Sequence, residues 1–173
     1  GYRPEDLIRV WARTPINLSW NQEEYLAAAK RFHATLYEQL SALPGVASVG
    51  VLGSGEGQGR HPVQEGQPDV DRIVCGIENE SPFTALGAPL IEGRFLDRGD
   101  RDRDTVVVNR NCAAALWPGQ SALGKRFRGA AARGSREFEV VGVVGDLKTG
   151  GYYEEKPRPA FYRPNEFEFG RIY

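Results

Sequence analysis

The opening of the chain alternates apolar and polar residues over positions 7–14. Ile8, Val10 and Ala12 fall on one side of this stretch, with the period of two that is typical of a half-buried strand. Pro15 follows and ends the alternation, because proline cannot continue a strand ladder as a donor. The sequence therefore predicts that the first element is a β-strand.

A longer pattern follows, in which apolar residues recur three and four positions apart, and it predicts an amphipathic helix. A capping box from Ser19 to Gln22, or alternatively from Asn21 to Glu24, marks the start of this helix. Proline and glycine at positions 44–45 mark its end. The predicted apolar stripe consists of Leu26, Ala29, Phe32, Leu36, Leu40 and Leu43.

Positions 46–52 predict a second strand, with Val49 and Val51 on one face. A strand, a helix and a strand of this length pack most simply as a βαβ unit with a right-handed crossover. Positions 53–71 are rich in glycine, glutamine, proline and charge, and they predict an exposed loop.

Beyond this loop the pattern predicts a second lobe of short strands and helices. Near-continuous valines at 138–147 are typical of a central strand that is buried on both faces. The order of elements is mixed, so the predicted fold class is α+β with short strands. The predicted elements are strands at 71–77, 105–109, 138–147 and 168–173, helices at 82–86 and 110–117, and a hairpin link at 129–136.

Several residues have a structural meaning that requires no ligand. Gly87 and Gly93 allow sharp turns on both sides of a short stretch predicted to be buried. Asn109 is placed to cap the helix that follows it. Gly142 and Gly145, inside the valine-rich strand, predict a bulge or a neighbouring backbone at close range.

Composition narrows the classes of function. The chain has 173 residues, of which 40% are hydrophobic and 26% charged, so it is a folded globular protein and not a disordered tail. A formal net charge of -1 argues against nucleic-acid binding, which needs a concentrated basic face. No apolar run approaches the roughly 20 residues that span a bilayer. Because the sequence contains no Met, we expect a processed product or an excised fragment.

Cysteine and histidine are too few for a disulfide scaffold or a His-rich zinc site. Cys75 and Cys112 form no CxxC motif, and a single disulfide between them is the less favoured alternative. Cys112 lies among alanines on a predicted helix and is expected to be a buried, inert thiol. His33 is expected on the flank of the first helix, and His61 lies in the glycine-rich loop.

Two motifs imitate ligand sites. Asp100, Asp102 and Asp104 have the spacing of a calcium loop, but the required Gly and bidentate Glu are absent, so a solvated acidic and basic turn is expected. Positions 119–125 fit the start of a P-loop, but Arg126 stands where Ser or Thr must bind magnesium. A predicted helix also precedes this segment and a strand follows it, which is the reverse of a P-loop.

Catalytic groups are also incomplete in the sequence. The glycines at 53–59 do not form G-x-G-x-x-G, and no G-x-S-x-G elbow occurs. Asp146 is the one carboxylate placed at a strand end as catalytic groups often are, although capping of the next turn is the expected role. With no nucleophile, base and oxyanion donor together, we expect no enzyme, no catalytic or metal-binding residue and no cofactor.

A set of distinctive segments covers nearly the whole chain: LPGVASVGVL at 43–52, SPFTALGAPLIEGRFLDRGD at 81–100, VVVNRNCAAALWPGQSALGKRF at 106–127, FEVVGVVGDLK at 138–148 and KPRPAFYRP at 156–164. In this order they resemble the MacB-like periplasmic core domain of ABC-transporter permeases. The Glu-Gly-Arg-Phe and Leu-Trp-Pro-Gly motifs most resemble those of the duplicated orphan permeases of the acidobacterial type.

The resemblance implies a βαβ-built Porter lobe with an inserted, small α+β Sabre lobe. On this basis residues 1–54 form the first half of the Porter-like lobe and residues 55–160 form the Sabre-like lobe. Residues 161–173 begin the second Porter-like half, most of which is absent from this chain.

The resemblance also implies a function without catalysis. It predicts an extracytoplasmic domain of a bacterial inner-membrane permease that transmits motion or docks partners during export or envelope transport. Expected partners are the permease's own transmembrane helices, a sister subunit, and a periplasmic adaptor or lipoprotein. The ATPase is expected to act only indirectly, through the membrane.

The alternative function is an extracytoplasmic domain that binds a peptide or a lipid-like molecule. In that case the loop at 53–71 and the turn at 97–104 would form the rim of a pocket. A deep apolar pocket with convergent polar groups favours this alternative, whereas a shallow surface with an exposed apolar patch favours docking.

Overall fold

The computed structural model describes residues 8, 19, 21–50, 52–53, 61–62, 69–75, 82–130, 135–147 and 156–164. The helices are α1 (Gln22–Ser41), α2 (Pro82–Ala85) and α3 (Arg110–Leu116), with a short 3-10 helix at Arg98–Asp100. The strands are β1 (Leu52–Gly53), β2 (His61–Pro62), β3 (Asp69–Cys75), β4 (Leu90–Gly93), β5 (Thr105–Asn109), β6 (Arg126–Ala130), β7 (Ser135–Val144) and β8 (Ala160–Pro164). The strands predicted at 7–14 and 168–173 lie outside these ranges, apart from Ile8.

These strands form one mixed sheet in the order β1, β3, β8, β5, β7, β4, with β2 also paired to β3 and β6 also paired to β7. β8 lies parallel to β3 and antiparallel to β5. β5 lies parallel to β7, whereas β4 and β6 pair with β7 in the antiparallel direction. A mixed sheet with few helices confirms the predicted α+β class.

Both faces of the sheet are covered by hydrophobic core. On the face that carries α3, the rings of Phe127, Phe138 and Phe161 meet with centroids between 5.3 and 5.9 Å apart. On the opposite face, Phe83 from α2 contacts Tyr162 edge to face, with centroids 4.8 Å apart. A strand between two cores must be apolar on both sides, which explains the near-continuous valines of β5 and β7.

β7 changes its partner part-way along one edge. Its first half pairs with β6 and its last residues pair with β4, while β5 follows the other edge. The register with β5 shifts between Val140 and Gly142, so Val141 is the extra residue of a β-bulge. A Cβ on Gly142 would lie 2.0 Å from the carbonyl oxygen of Arg94. The predicted bulge and close backbone at Gly142 are therefore confirmed.

α1 begins with the second of the two capping boxes that the sequence allows. The side chain of Asn21 accepts a hydrogen bond from the Glu24 N–H at 3.0 Å, and Glu24 accepts from the Asn21 N–H at 2.8 Å. Ala29, in the predicted stripe, is fully buried. Leu43 is an error in that stripe, because the helix ends at Ser41 and the Leu43 side chain is 52% exposed.

His33 was expected on the flank of α1, and this prediction is wrong. The residue is buried, because it lies one helical turn beyond Ala29 on the same face. Its ring contacts Phe32 edge to face, with centroids 5.3 Å apart. Burial lowers the pKa of His33.

The strand predicted over 46–52 is wrong for residues 46–50, which form no regular element. A Cβ on Gly50 would lie 2.5 Å from Cα of Pro82, so this stretch packs against α2 and does not enter the sheet. β3 begins at Asp69, slightly before the predicted start, and the short β2 lies within the predicted loop.

The stretch between Gly87 and Gly93 also differs from expectation. Both glycines have positive φ, at 63° and 73°, as the predicted sharp turns require. Between them, however, Leu90 is 39% exposed and Ile91 is 41% exposed. The prediction of a buried stretch is wrong because this segment forms β4, which is the last strand in the path of the sheet.

Candidate functional site

Asp100 is the buried member of an ion pair that lies between β4 and β5. Its carboxylate accepts hydrogen bonds from both terminal nitrogens of Arg94, at 2.6 and 2.8 Å. It also accepts from the Asp97 N–H at 2.9 Å and from the Thr105 hydroxyl at 2.8 Å. Burial raises the pKa of Asp100, but hydrogen bonds from Arg94, Asp97 and Thr105 outweigh burial and lower it to about 2.

The aspartate turn is therefore built differently from the solvated turn that was predicted. Asp100 is completely buried, whereas Asp102 is exposed and Asp104 pairs with Arg136 at 3.3 Å. Within the ranges that the structure describes, no group of three or more His, Cys, Asp or Glu residues is arranged to hold a metal ion. The turn is therefore structural, because Asp100 joins Arg94 after β4 to Thr105 in β5.

A second polar network surrounds residues 156–159, here called the strap, which lead into β8. Asn109 is fully buried and caps α3 as predicted, accepting from the Cys112 N–H at 2.9 Å. The same oxygen accepts from the Ala160 N–H at 2.9 Å, and the amide nitrogen donates to the Arg158 carbonyl at 2.7 Å. Asn111 donates to the Pro157 carbonyl at 2.8 Å. We call Asn109 and Asn111 the asparagine clamp.

Asp146 belongs to the same region and also has a structural role. Its side chain accepts from the Asn111 N–H at 2.9 Å, in the first turn of α3. The predicted capping role is correct in kind, but its partner is a helix 35 residues earlier in the chain and not the next turn. The side-chain amide of Asn111 meanwhile binds the strap, so the two residues together join β7, α3 and the strap.

Cys112 is a free thiol buried in the core beneath α3, in agreement with the expected inert residue. Burial raises the pKa of the Cys112 thiol to about 12. The thiolate is the reactive form, and it is depleted at neutral pH by such a shift.

We predict that Cys112 in a Cys75→Ser variant resists iodoacetamide at pH 8 in the folded chain. With a pKa of about 12, only about 1 thiol in 10,000 is ionised at that pH, and the core also blocks access. Mass spectrometry after timed alkylation measures the reaction. Denaturant should restore rapid labelling, and rapid labelling of the folded chain would contradict the burial of this thiol.

The segment at 119–125 has the order of elements that the sequence predicted, which is the reverse of a P-loop. It connects α3 to β6, so a helix precedes it and a strand follows it. Two of its last amides bind within the fold: the Gly124 N–H donates to the Val140 carbonyl at 2.9 Å, and the Lys125 N–H donates to the Ala122 carbonyl at 3.1 Å. The ammonium of Lys125 contacts the side-chain oxygen of Gln120 at 3.0 Å.

On the part of the chain that the structure describes, two surface features are candidates for contact with other molecules. A half-open depression of about 430 Å³ is lined by Arg126, Phe127, Arg128 and Glu137 on the hairpin of β6 and β7. Three of these four residues are charged. The other feature is the exposure of three large apolar residues, Leu90 and Ile91 on β4 and Leu123 before β6, which are 39%, 41% and 40% exposed.

The residues singled out in the sequence occupy separate settings. His33 lies on α1, Cys112 lies in the core under α3, and Asp146 binds the backbone of α3. The side chain of His61, on β2, lies outside the described part of the chain. Sequence reasoning missed the Arg94 to Asp100 pair and the strap contacts, and the only signal for the former was an Arg and an Asp six positions apart.

The order of these elements can be compared with known proteins. A family model of the MacB-like periplasmic core domain matches residues 2–169. The chain belongs to this family. No curated protein matches the sequence.

Solved structures similar to this MacB-like domain include three from transporters. The extracellular domain of the noncanonical ABC-type transporter YknZ from Gram-positive bacteria has 19% identity and a TM-score of 0.47, with 74% of this chain and 59% of that chain covered. The periplasmic region of MacB from Actinobacillus actinomycetemcomitans has 20% identity, a TM-score of 0.45 and coverages of 78% and 55%. A permease domain from Porphyromonas gingivalis has 20% identity, a TM-score of 0.49 and coverages of 76% and 58%. The chain thus spans a little over half the length of each.

Membership of the MacB-like family places the chain on the periplasmic side of the membrane, as a domain of an inner-membrane ABC-transporter permease. The predicted localisation is confirmed. Among the helices that the structure describes, none has both the length and the apolar character needed to cross a bilayer.

Proposed function

We propose that this MacB-like domain is a non-catalytic coupling module. ATP-driven motion of the permease's membrane helices is carried to the domain and changes its contacts with a sister subunit, a periplasmic adaptor or an envelope substrate. The observation that carries this proposal is that the buried polar side chains of Asp100 and Asn109 make their hydrogen bonds within the fold. Asp100 and Asn109 are fully buried, and each directs its hydrogen bonds to the backbone or side chains of the fold.

The hydrogen-bonding positions of a polar group held in this way are already occupied by the fold. A catalytic base or nucleophile needs a hydrogen-bonding position that faces the substrate. The carboxylate of Asp100 instead meets Arg94, Asp97 and Thr105, and the amide of Asn109 meets two backbone donors and one acceptor. Hydrogen bonds directed into the fold would resist its internal deformation, which a coupling element requires.

The alternative function, binding of a peptide or lipid-like molecule, has weaker support. Most of the loop at 53–71 lies outside the described residues, and the turn at 97–104 is closed by the Asp100 ion pair. The depression beside Phe127 is lined mainly by charged groups, unlike the apolar pockets that take lipid-like ligands. Leu90 and Ile91 on β4 are exposed apolar residues that a partner protein would cover in the proposed docking role.

The proposed role uses the lobes that the resemblance predicts. Residues 1–54 and 161–173 would connect to the membrane side as parts of the Porter-like lobe, and residues 55–160 would form the Sabre-like lobe. In the sheet, β8 crosses this boundary, since it starts at Ala160 and pairs with β3 and β5 of the Sabre-like segment. Motion entering through the C-terminal segment would therefore reach β8 first.

The proposal predicts that nucleotide binding at the ATPase changes the dynamics of this distant domain. The complete permease with its ATPase would be placed in lipid nanodiscs, and hydrogen exchange would be measured by mass spectrometry with ATP and with ADP. We expect exchange in peptides covering β3 and β8 to differ between the two states. Identical exchange, together with changes on adding peptides or phospholipids, would favour the ligand-binding alternative.

A further inference from the structure

The strap before β8 is held by hydrogen bonds to its consecutive backbone carbonyl groups. Pro157 and Pro159 have no N–H, so this stretch can bind its surroundings mainly as an acceptor. The Pro157 and Arg158 carbonyls accept from the asparagine clamp, at 2.8 and 2.7 Å. The Pro159 carbonyl accepts from the Asp71 N–H at 2.9 Å. Three successive carbonyls are thus bound, by donors from α3, β5 and β3.

The strand that follows the strap is held on both edges. β8 pairs with β3 over five residue positions, from Ala160 opposite Asp71 to Pro164 opposite Cys75. On the other edge it pairs with β5 through Phe161 and Tyr162. Phe161 and Tyr162 are fully buried, on opposite faces of the sheet. A shift of β8 along its own axis would therefore displace aromatic side chains from both cores.

We propose that β8 and the strap form the path by which a pull on the chain beyond Pro164 enters the sheet, and that the asparagine clamp sets the load at which β8 slips. This inference rests on the proposed coupling function, because it assigns the element that carries the motion. The strap anchors β8 at its N-terminal end, just before strand pairing begins at Ala160.

The geometry explains why the clamp has this effect. Ladder hydrogen bonds run across to the neighbouring strand, perpendicular in the antiparallel pair with β5 and slanted in the parallel pair with β3. A pull along β8 therefore shears many of them at the same time. The clamp adds bonds at the opposite end of the strand from the pull, and these must also break before β8 can move. Asn109 contributes on both sides of this junction, since it accepts from the Ala160 N–H and donates to the Arg158 carbonyl.

The decisive variant is Asn111→Ala, which removes one donor to the strap and leaves the buried Asn109 in place. One handle would be attached after Tyr173 and the other at exposed position 128 on β6, and the chain would be held at constant load in optical tweezers. The loss of one hydrogen bond that must break in the slipping step should raise the rate of β8 detachment about fivefold.

Asn21→Ala is the matched control. It removes an asparagine whose side chain makes one hydrogen bond to the backbone, as that of Asn111 does, but at the start of α1. We expect it to lower the stability of the chain to a similar extent. It should leave the detachment rate of β8 at the same load unchanged. Equal rates for wild type and Asn111→Ala, or equal acceleration by both variants, would overturn the inference.

A second measurement keeps the test independent of force. The Asp71 and Ala160 amides both donate at the strap junction, so their hydrogen exchange in the intact chain should be faster in Asn111→Ala than in Asn21→Ala. Unchanged exchange at both amides would also count against the clamp. Both experiments use this chain without a transporter. They therefore fail or succeed separately from the ATP-dependent exchange test of the coupling function.

Discussion

Replacing Gly142 with alanine is expected to lower the free energy of unfolding by about 3 kcal/mol or more, because the new methyl group has no room. Its Cβ would lie 2.0 Å from the Arg94 carbonyl oxygen, and backbone cannot rotate away as a side chain can. Relief requires β4 to move from β7, which breaks the bond from the Arg94 N–H to the Val141 carbonyl. Urea unfolding followed by circular dichroism measures the loss.

Gly119→Ala is the control for this substitution. A Cβ at Gly119 meets nothing within 4 Å, although the residue has a φ of 70°. Alanine there is strained by its backbone conformation alone, at about 1–2 kcal/mol. A clearly larger loss at Gly142 would establish the close backbone contact at the bulge. Equal losses at the two positions would mean that β4 can withdraw from β7 at little expense.

Elements that a local pattern defines could be predicted from the sequence. β5 and β7 have runs of valine that only a strand between two cores explains, and both were predicted close to their observed bounds. α3 follows Asn109, a good N-cap residue, and ends at Leu116, two positions before the Pro118 that prevents its continuation. Capping and burial on both faces are short-range properties, so single-sequence reasoning detects them.

Elements whose existence depends on distant partners were missed. β8 is framed by prolines and no strand was predicted there, yet it is a strand because β3 and β5 supply partners for both of its edges. β4 is a short strand whose apolar residues are partly exposed, so its pattern indicates no buried face. Conversely, residues 46–50 have strand-like valines but pack against α2 without a ladder.

The candidate site follows the same rule. The sequence indicates that Asn109 caps α3, because the cap lies three positions away. It does not indicate that the same side chain binds Arg158 and Ala160, about fifty positions further along. Asp100 was expected in a solvated turn, since its neighbours are charged. Asp100 can be buried because the Arg94 side chain pairs with its carboxylate across the turn.

The second large effect concerns that carboxylate. Asp100→Asn keeps the shape of the side chain but removes its charge, and it leaves Arg94 facing a neutral amide. Removing one partner of a buried ion pair costs about 3–5 kcal/mol. Because the Arg94 side chain is 44% exposed and can regain water, we expect about 3 kcal/mol at neutral pH. Urea unfolding at pH 7 provides the measurement.

The same residue should make stability depend on acidic pH in a defined window. The pKa of Asp100 is lowered from 3.8 to about 2 in the folded chain, so the unfolded chain binds the proton more readily. The stabilisation is therefore fully present above the unfolded value and is lost as pH falls from about 4 to about 2. The shift corresponds to about 2 kcal/mol. The difference in stability between wild type and Asp100→Asn should shrink by that amount across the window.

Asp102→Asn separates the ion pair from the mere removal of an acid. Asp102 lies on the same turn and is exposed, so its replacement should change stability by no more than about 0.5 kcal/mol at pH 7. It should also retain the full acid dependence of the wild type between about pH 4 and pH 2. If Asp100→Asn kept that dependence as well, other carboxylates would account for the acid response. The Arg94 pair would then not be what closes the turn between β4 and β5.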